Sequence, residues 1–312
     1  MPFFQIIPPG TRIDFVGRWR LCAALSLLLI GAGVAAIPLR GIQLGVDFAG
    51  GYQVIVHVEE GTKAGEDDTR AALASIGIPG ANVTRLGEPA EGRFQVKFQA
   101  VEKIASYEIV PKLENELSKN FGPTQVESID FVGPRVGDEL RQAAILSMLI
   151  AFALVFVYVA FRFSLAYAPG AIIALIHDVL FTAAIFVILG WEFDLNVVAA
   201  LLTIIGYSIN DTIVIYDRIR EKRAQRTSTD LTDVVNQSVN ETLSRTILTA
   251  GATLLAVLAL LFLGGPELRG FSAAMAIGIV VGSYSTVYVA SPFMLLLERR
   301  QGRKLSPRAA AQ

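Results

Sequence analysis

Residues 206–221 read Gly206-Tyr-Ser-Ile-Asn-Asp-Thr-Ile-Val-Ile-Tyr-Asp-Arg-Ile-Arg-Glu221. They continue an apolar run, Val197-Val-Ala-Ala-Leu-Leu-Thr-Ile-Ile205, and the apolar pattern resumes after Asp211. The stretch reads as a membrane-spanning helix with a carboxylate inside it. A carboxylate at that depth costs about 2.5–3.5 kcal/mol on insertion scales. Tyr207, Ser208, Asn210 and Thr212 surround it with hydrogen-bonding groups. A charge that costly faces a protein interior or a wet path, where it pairs or takes up protons. Asp211 is therefore the leading candidate for the working residue, with Asn210 beside it.

Composition agrees with a membrane setting. Of 312 residues, 53% are hydrophobic and 18% charged, and the mean hydropathy of +0.52 indicates a polytopic membrane protein. A net charge of −1 gives no case for nucleic acid as a partner. The single cysteine, Cys22, excludes an internal disulfide and a cysteine metal cluster. His57 and His177 lie too far apart in sequence to suggest a histidine-rich metal site. A G-x-S-x-G elbow, an H-E-x-x-H pair and a Walker run are all missing. The sequence thus points away from a hydrolase or ATPase, and no cofactor is expected.

Apolar segments of spanning length cover residues 21–37, 143–161, 165–189, 197–216, 246–263 and 271–297. Six spans leave both ends on one side. Arg12, Arg18 and Arg20 precede the first span, and Arg162 falls between the second and third. Arg218, Arg220, Lys222, Arg223 and Arg226 follow the fourth, and Arg299, Arg300, Arg303, Lys304 and Arg308 follow the sixth. The opposite short loops, 190–196 and 264–270, hold Arg269 alone as a basic residue. By the positive-inside rule both termini are cytoplasmic and residues 38–140 lie outside. The first span also resembles a signal peptide, with Val34-Ala-Ala36 as a passable cleavage site. The spans that follow favour an uncleaved helix.

Residues 38–140 read as a small α+β domain. Alternating Val54, Val56 and Val58 make 52–58 a strand; 67–76 suits a helix with acidic residues in its first turn. Strands are expected at 82–86, 93–98 and 125–132, with a helix at 111–121 placing Pro111 at its first position. The order β-α-β-β-α-β is the ferredoxin-like split unit. The expected organisation is a cytoplasmic N-terminus (1–20), helix 1 (21–37), the external domain (38–140), five further helices (141–298) and a cytoplasmic tail (299–312), disordered after Arg303. Within the helical region, residues 217–244 read as an amphipathic helix on the membrane surface or against the bundle. Its stripe is Leu231, Val234, Val235, Val239 and Leu243.

Helical rise of about 1.5 Å per residue puts Asp211 roughly 8–12 Å above the cytoplasmic boundary. Arg245 starts the next span near that boundary, and its long side chain reaches upward. The two either cooperate in a proton path or form a structural buried pair. Asp178, preceded by His177, lies midway along the third span. It is a second protonatable site or a packing partner of the 207–212 polar patch; for His177 a structural hydrogen bond is the simpler role. Gly170, Gly251, Ala252, Gly278, Gly282 and Ser283 let helices approach closely.

Several motifs, in order, carry a resemblance. They are Val46-Asp-Phe-Ala-Gly-Gly51, Val132-Gly-Pro-Arg-Val-Gly-Asp-Glu-Leu140, Phe161-Arg-Phe163, Leu175-Ile-His-Asp-Val179, residues 206–221, and Leu243-Ser-Arg-Thr246. Through them nearly the whole chain resembles the SecF members of the SecD/SecF family of bacterial protein-export membrane subunits. Ala252 departs slightly, since relatives often carry Thr or Ser there. The resemblance implies half of a transporter of the resistance–nodulation–division type, with SecD as the other half. It implies use of the proton-motive force at the inner membrane, late in preprotein movement, after SecA and SecYEG have begun it, with YajC as a companion. Preproteins and membrane lipids complete the expected contacts. It further implies roles in proton passage for Asp211 and Arg245. Asp47, Gly50 and Gly51 sit where the first span meets the external domain, as a tight junction first and a hinge second. Two other functions compete: a small-molecule or lipid exporter of the same superfamily, and a passive scaffold.

Overall fold

The computed structural model describes residues 11–58, 65–87, 91–99, 106–163, 165, 167–225 and 230–300. Among these, six helices are long and apolar enough to cross a membrane. The chain is a multi-pass membrane protein. Helix α1 (Trp19–Arg40) is followed by a short helix α2 (Val46–Ala49) and a four-stranded unit. Then come α5 (Pro134–Arg162), α6 (Ala168–Leu189), α7 (Leu195–Gln225) and α8 (Leu231–Leu263). The last span is α9 (Pro266–Ser285), which passes through a π-turn (Thr286–Ala290) into α10 (Ser291–Arg300).

The sheet unit contains β1 (Gly51–Val58), α3 (Glu66–Ser75), β2 (Asn82–Leu86), β3 (Arg93–Phe98), α4 (Ser106–Phe121) and β4 (Thr124–Val132). Its strand order, β2-β3-β1-β4, is antiparallel throughout, as the ferredoxin-like reading requires. Tyr52, Val54 and Val56 pair with Phe98, Val96 and Phe94 on one buried face, which Val58 extends and which Leu73 of α3 and Ile109, Leu113 and Leu117 of α4 close. Helix α4 starts five residues before the expected 111, so Pro111 stands inside it rather than at its first position. A proline there removes one backbone hydrogen bond. Ile109 lies four residues before Leu113 and eight before Leu117, and its burial extends the apolar stripe beyond the proline.

Helix ends and membrane ends also differ. Helix α5 begins at Pro134, ahead of the apolar run at 143, because Gly133 and Pro134 start it. Its added turns are polar and carry the Arg135–Glu139 and Arg141–Asp138 ion pairs. The amphipathic stretch 217–244 is not a separate helix. Residues through Gln225 finish α7 and those from Leu231 begin α8, whose first turn Asp230 caps through Thr232 N. Val234, Val235 and Val239 are buried and Leu231 and Leu243 pack beside them, so the stripe lies against the bundle. The expected tail at 299–312 lies outside the described residues beyond Arg300.

Helices α6, α7 and α9 supply most of the buried residues in the bundle, whereas α1 and α5 turn Leu, Ile and Phe outward. The centre is a parallel seam between α7 and the last span. A Cβ on Gly278 would fall 2.2 Å from Ile204 Cδ1, and one on Gly282 would fall 3.1 Å from Ser208 Cβ. Thr212 Oγ1 meets Thr286 Oγ1 at 3.1 Å, and the Tyr216 hydroxyl donates to Ala290 O at 3.1 Å. Each of the four pairs is separated by 74 residues in sequence, so two rows of every-fourth residues run in register. Small residues permit this approach where no apolar driving force separates protein from lipid.

The seam makes a prediction. Gly278→Val or Gly282→Val should cost about 1–3 kcal/mol by overpacking, seen as a lower thermal unfolding midpoint in detergent. Gly251→Val, where a Cβ meets nothing within 4 Å, should stay near the parent.

Candidate functional site

Helix α7 presents different residues to different neighbours. Ser208 and Thr212 belong to the seam. Ser208 Oγ also donates to Asp178 Oδ2 on α6 at 2.6 Å. The other Asp178 oxygen, Oδ1, lies 3.1 Å from His177 Nδ1. Asp178 is fully buried with both oxygens engaged. Through Ser208 it packs against the 207–212 patch. His177 Nε2 is buried with no hydrogen-bond partner. Its ring lies against Phe181 and Tyr284, and the Tyr284 hydroxyl donates to Cys22 O of α1 at 2.6 Å. These contacts tie α1, α6, α7 and α9 together.

Asp211 faces the other way, toward α8. It is only 4% exposed, and its Oδ2 has no hydrogen-bond partner. Four further buried oxygens among the described residues share that condition, and two of them flank this contact: the hydroxyl of Tyr207, one turn earlier on α7, and Thr246 Oγ1 on α8. On α8, Arg245 shares a cleft with Val214, Asp217 and Arg218 of α7, the turns that follow Asp211, and Thr246 is its buried neighbour. Yet no ion pair joins Asp211 to Arg245 among the described residues. Arg245 is exposed and lines a cleft of about 720 Å³ together with Arg162, Asp217, Arg218, Glu221 and Glu241. Asn210 is exposed on the opposite face of α7 from the seam. The structure therefore brings Asp211 and Arg245 to one helix contact, places Asp178 in a satisfied network, and sends Asn210 outward.

Asp47 meets the sheet-domain end of α7, while Gly50 packs on Val132 and Pro134 and Gly51 on Phe98 and Gln99. Asp47 Oδ2 accepts from Leu195 N, the first helical amide of α7, at 3.0 Å. Asp194 Oδ1 accepts from Val197 N at 2.8 Å, so two carboxylates cap one helix end. Gly50 has φ +75° and Gly51 φ +149°; a Cβ on Gly51 would lie 2.3 Å from Phe98 O. Neither position accepts a side chain. Burial raises the Asp194 carboxyl above its ordinary value, with the Val197 amide and Lys97 opposing and Asp47 and Glu192 adding to the rise.

Sequence reasoning missed Thr286 and Tyr284, whereas the Ser208–Asp178 bond falls within the contact it offered between Asp178 and the 207–212 patch. The four-residue spacing of Ile204, Ser208 and Thr212 against Gly278, Gly282 and Thr286 is the signal that would have found the seam.

The profile of the family described as "Protein export membrane protein SecD/SecF, C-terminal" matches residues 112–300. The chain belongs to the SecD/SecF family. The "SecD/SecF GG Motif" of that family matches residues 35–61, which include Asp47, Gly50 and Gly51. Among SecF relatives, the protein translocase subunit SecF of Magnetococcus marinus is 38% identical over 310 residues, 99% of this chain and 99% of its own length. The protein translocase subunit SecDF of Thermus thermophilus is 37% identical over 95% of this chain, which spans 40% of that longer protein. The crystal structure of SecDF from Thermus thermophilus, a translocon-associated membrane protein, superposes with a TM-score of 0.80 at 36% identity. That match covers 93% of this chain and 39% of the crystallised one.

The two membrane carboxylates should respond differently to substitution. Asp178→Ala strands Ser208 and His177 and should cost about 1–3 kcal/mol, read as thermal unfolding in detergent. Asp211→Asn removes no hydrogen bond at Oδ2 and should stay within about 1 kcal/mol of the parent. Asp194 supplies a pH test. Its folded-state value is raised, so the stability it contributes is present below its unfolded value and is lost as pH rises through the folded one. Asp194→Asn keeps a capping oxygen and removes that loss. Its unfolding midpoint should gain on the parent as pH goes from acid to neutral.

Proposed function

We propose that this chain works with SecD to use the proton-motive force for preprotein translocation across the bacterial inner membrane, with Asp211 as its protonatable residue. The observation that carries the reading is the unpartnered Asp211 oxygen, buried at the α7–α8 contact beside Tyr207 and Thr246, which also lack partners. A structural carboxylate in a membrane is paired, as Asp178 is. One left open to a proton, water or a second protein fits a transfer site. Arg245 is its counter-charge across the helix contact. Asp178 holds α6 to α7 and Asn210 faces outward beside the site.

Protonating Asp211 removes its attraction to Arg245 and alters the preferred packing of α7 against α8. A charge crossing a potential of 100 mV supplies about 2.3 kcal/mol, sufficient to bias a two-state element with a gap of a few kcal/mol. The arginine distribution supports cytoplasmic termini and an external sheet domain. SecD as partner has two supports. Relatives named SecDF contain this chain's length as 40% or less of their own. Thr203, Gly206 and Asn210 of α7, with Thr249, Ala252 and Ala256 of α8, form an exposed surface of small and polar residues. That surface differs from the Leu- and Phe-rich outer faces of α1 and α5 and suits a helix–helix contact. SecYEG, SecA, YajC, preproteins and lipids complete the proposed setting.

The experiment is export of a secreted preprotein in cells whose only copy carries Asp211→Asn, with accumulation and SecD association measured in parallel. Export should stall at least about tenfold and cease to respond to the proton gradient. Normal, gradient-dependent export would establish the passive scaffold instead.

A further inference from the structure

The sheet domain does not hang from a free linker. Its polar face, opposite the buried Val54, Val56 and Phe94 face, rests on the loops that start α7 and the last span. Gln53 Nε2 of β1 donates to Glu267 Oε1 at 3.4 Å, and buried Gln95 of β3 donates to the same oxygen. Asn82 Nδ2 of β2 donates to Glu192 Oε1 at 2.6 Å. Between these points Asn196 Nδ2 donates to Glu267 O at 3.3 Å, joining the two helix starts. The chain entering the domain is paired to the same loop. Phe193 N donates to Gln43 O and Gly45 N to Phe193 O, each at 2.8 Å. Asp47 then caps α7 directly.

Both helices reached by these contacts are partners in the 74-residue seam. We infer that the sheet domain, α7 and α9 form one rigid body, and that Asp47 is the positioning residue that fixes the domain to the helix carrying Asp211. This rests on the export reading above. Asp211 lies 16 residues beyond Leu195, roughly 24 Å down the helix at 1.5 Å per residue. A shift of α7 at the proton site is passed to the domain without an intervening hinge. The relative motion that export requires then falls between this body and α8 or SecD. Gly50 and Gly51 serve the tight turn into β1 and do not flex during work.

Two arms test this in cells whose only copy is the variant, with Asp211→Asn run beside them. In the first, Asn82→Cys and Glu192→Cys are introduced in a Cys22→Ala background and joined by a short cleavable thiol crosslinker. Export should remain within about twofold of the same cells before crosslinking. A drop of about tenfold or more that reverses on cleavage would overturn the rigid body, because undocking would then be part of the cycle. In the second arm, Asp47→Ala should lower export about tenfold in protein that accumulates and associates with SecD normally, while gradient-driven proton uptake continues. Asp47→Asn, whose amide oxygen still accepts from Leu195 N, should restore export. Normal export by Asp47→Ala, or equal loss in both variants, overturns the role of Asp47. If Asp47→Ala fails to accumulate, the crosslinked pair decides. Normal export by Asp211→Asn marks failure of the proton reading, whereas a crosslink-sensitive protein with a stalled Asp211→Asn marks failure of this inference alone.

Discussion

The parallel seam between α7 and the last span is the constraint on which the rest depends. Gly278 and Gly282 leave room for Ile204 and Ser208, and the Thr212–Thr286 and Tyr216–Ala290 hydrogen bonds fasten the lower turns. Once these two helices are in register, the remaining faces of α7 are assigned. Ser208 reaches Asp178 of α6, Asp211 turns toward α8, and Asn210 is left outside. A one-residue slip would rotate α7 by about 100° and break every one of these assignments.

Two aspartates of the same chemistry thus acquire opposite characters. Asp178 receives a hydroxyl and an imidazole within hydrogen-bond distance and knits helices together. Asp211 receives no hydrogen bond at Oδ2, and the buried hydroxyls of Tyr207 and Thr246 are likewise unpaired. The cost of such groups in a low-dielectric interior is the reason they are rare and the reason they are informative. For the function proposed above, a carboxyl whose environment does not settle on one state suits the uptake and release of a proton.

At the sheet-domain end, acidic side chains meet helix N-termini. Asp47 and Asp194 cap α7, and Glu267 sits in the first turn of α9 while accepting from two strands of the sheet. Carboxylates at helix N-termini are favoured by the unpaired amides and the helix dipole. Here the same preference joins a domain in water to helices in lipid.

Hydropathy and periodicity alone determined the six spans, the positions of β2 and β3 to the residue, and the ferredoxin-like order, because these follow from local patterns of apolar side chains. Asp211 stood out as a candidate for the same reason: a charge inside an apolar run is conspicuous in one dimension. The helix start at Ser106, the continuation of α7 and α8 through the 217–244 region, and the partner of each polar group were not. Ile109 joins α4 through packing on a sheet made of distant strands, and Ser208 meets Asp178 across 30 residues of chain. Which carboxylate is satisfied and which is left open depends on helix rotation and register. Those are set by side chains far apart in sequence, so only the tertiary structure decided them.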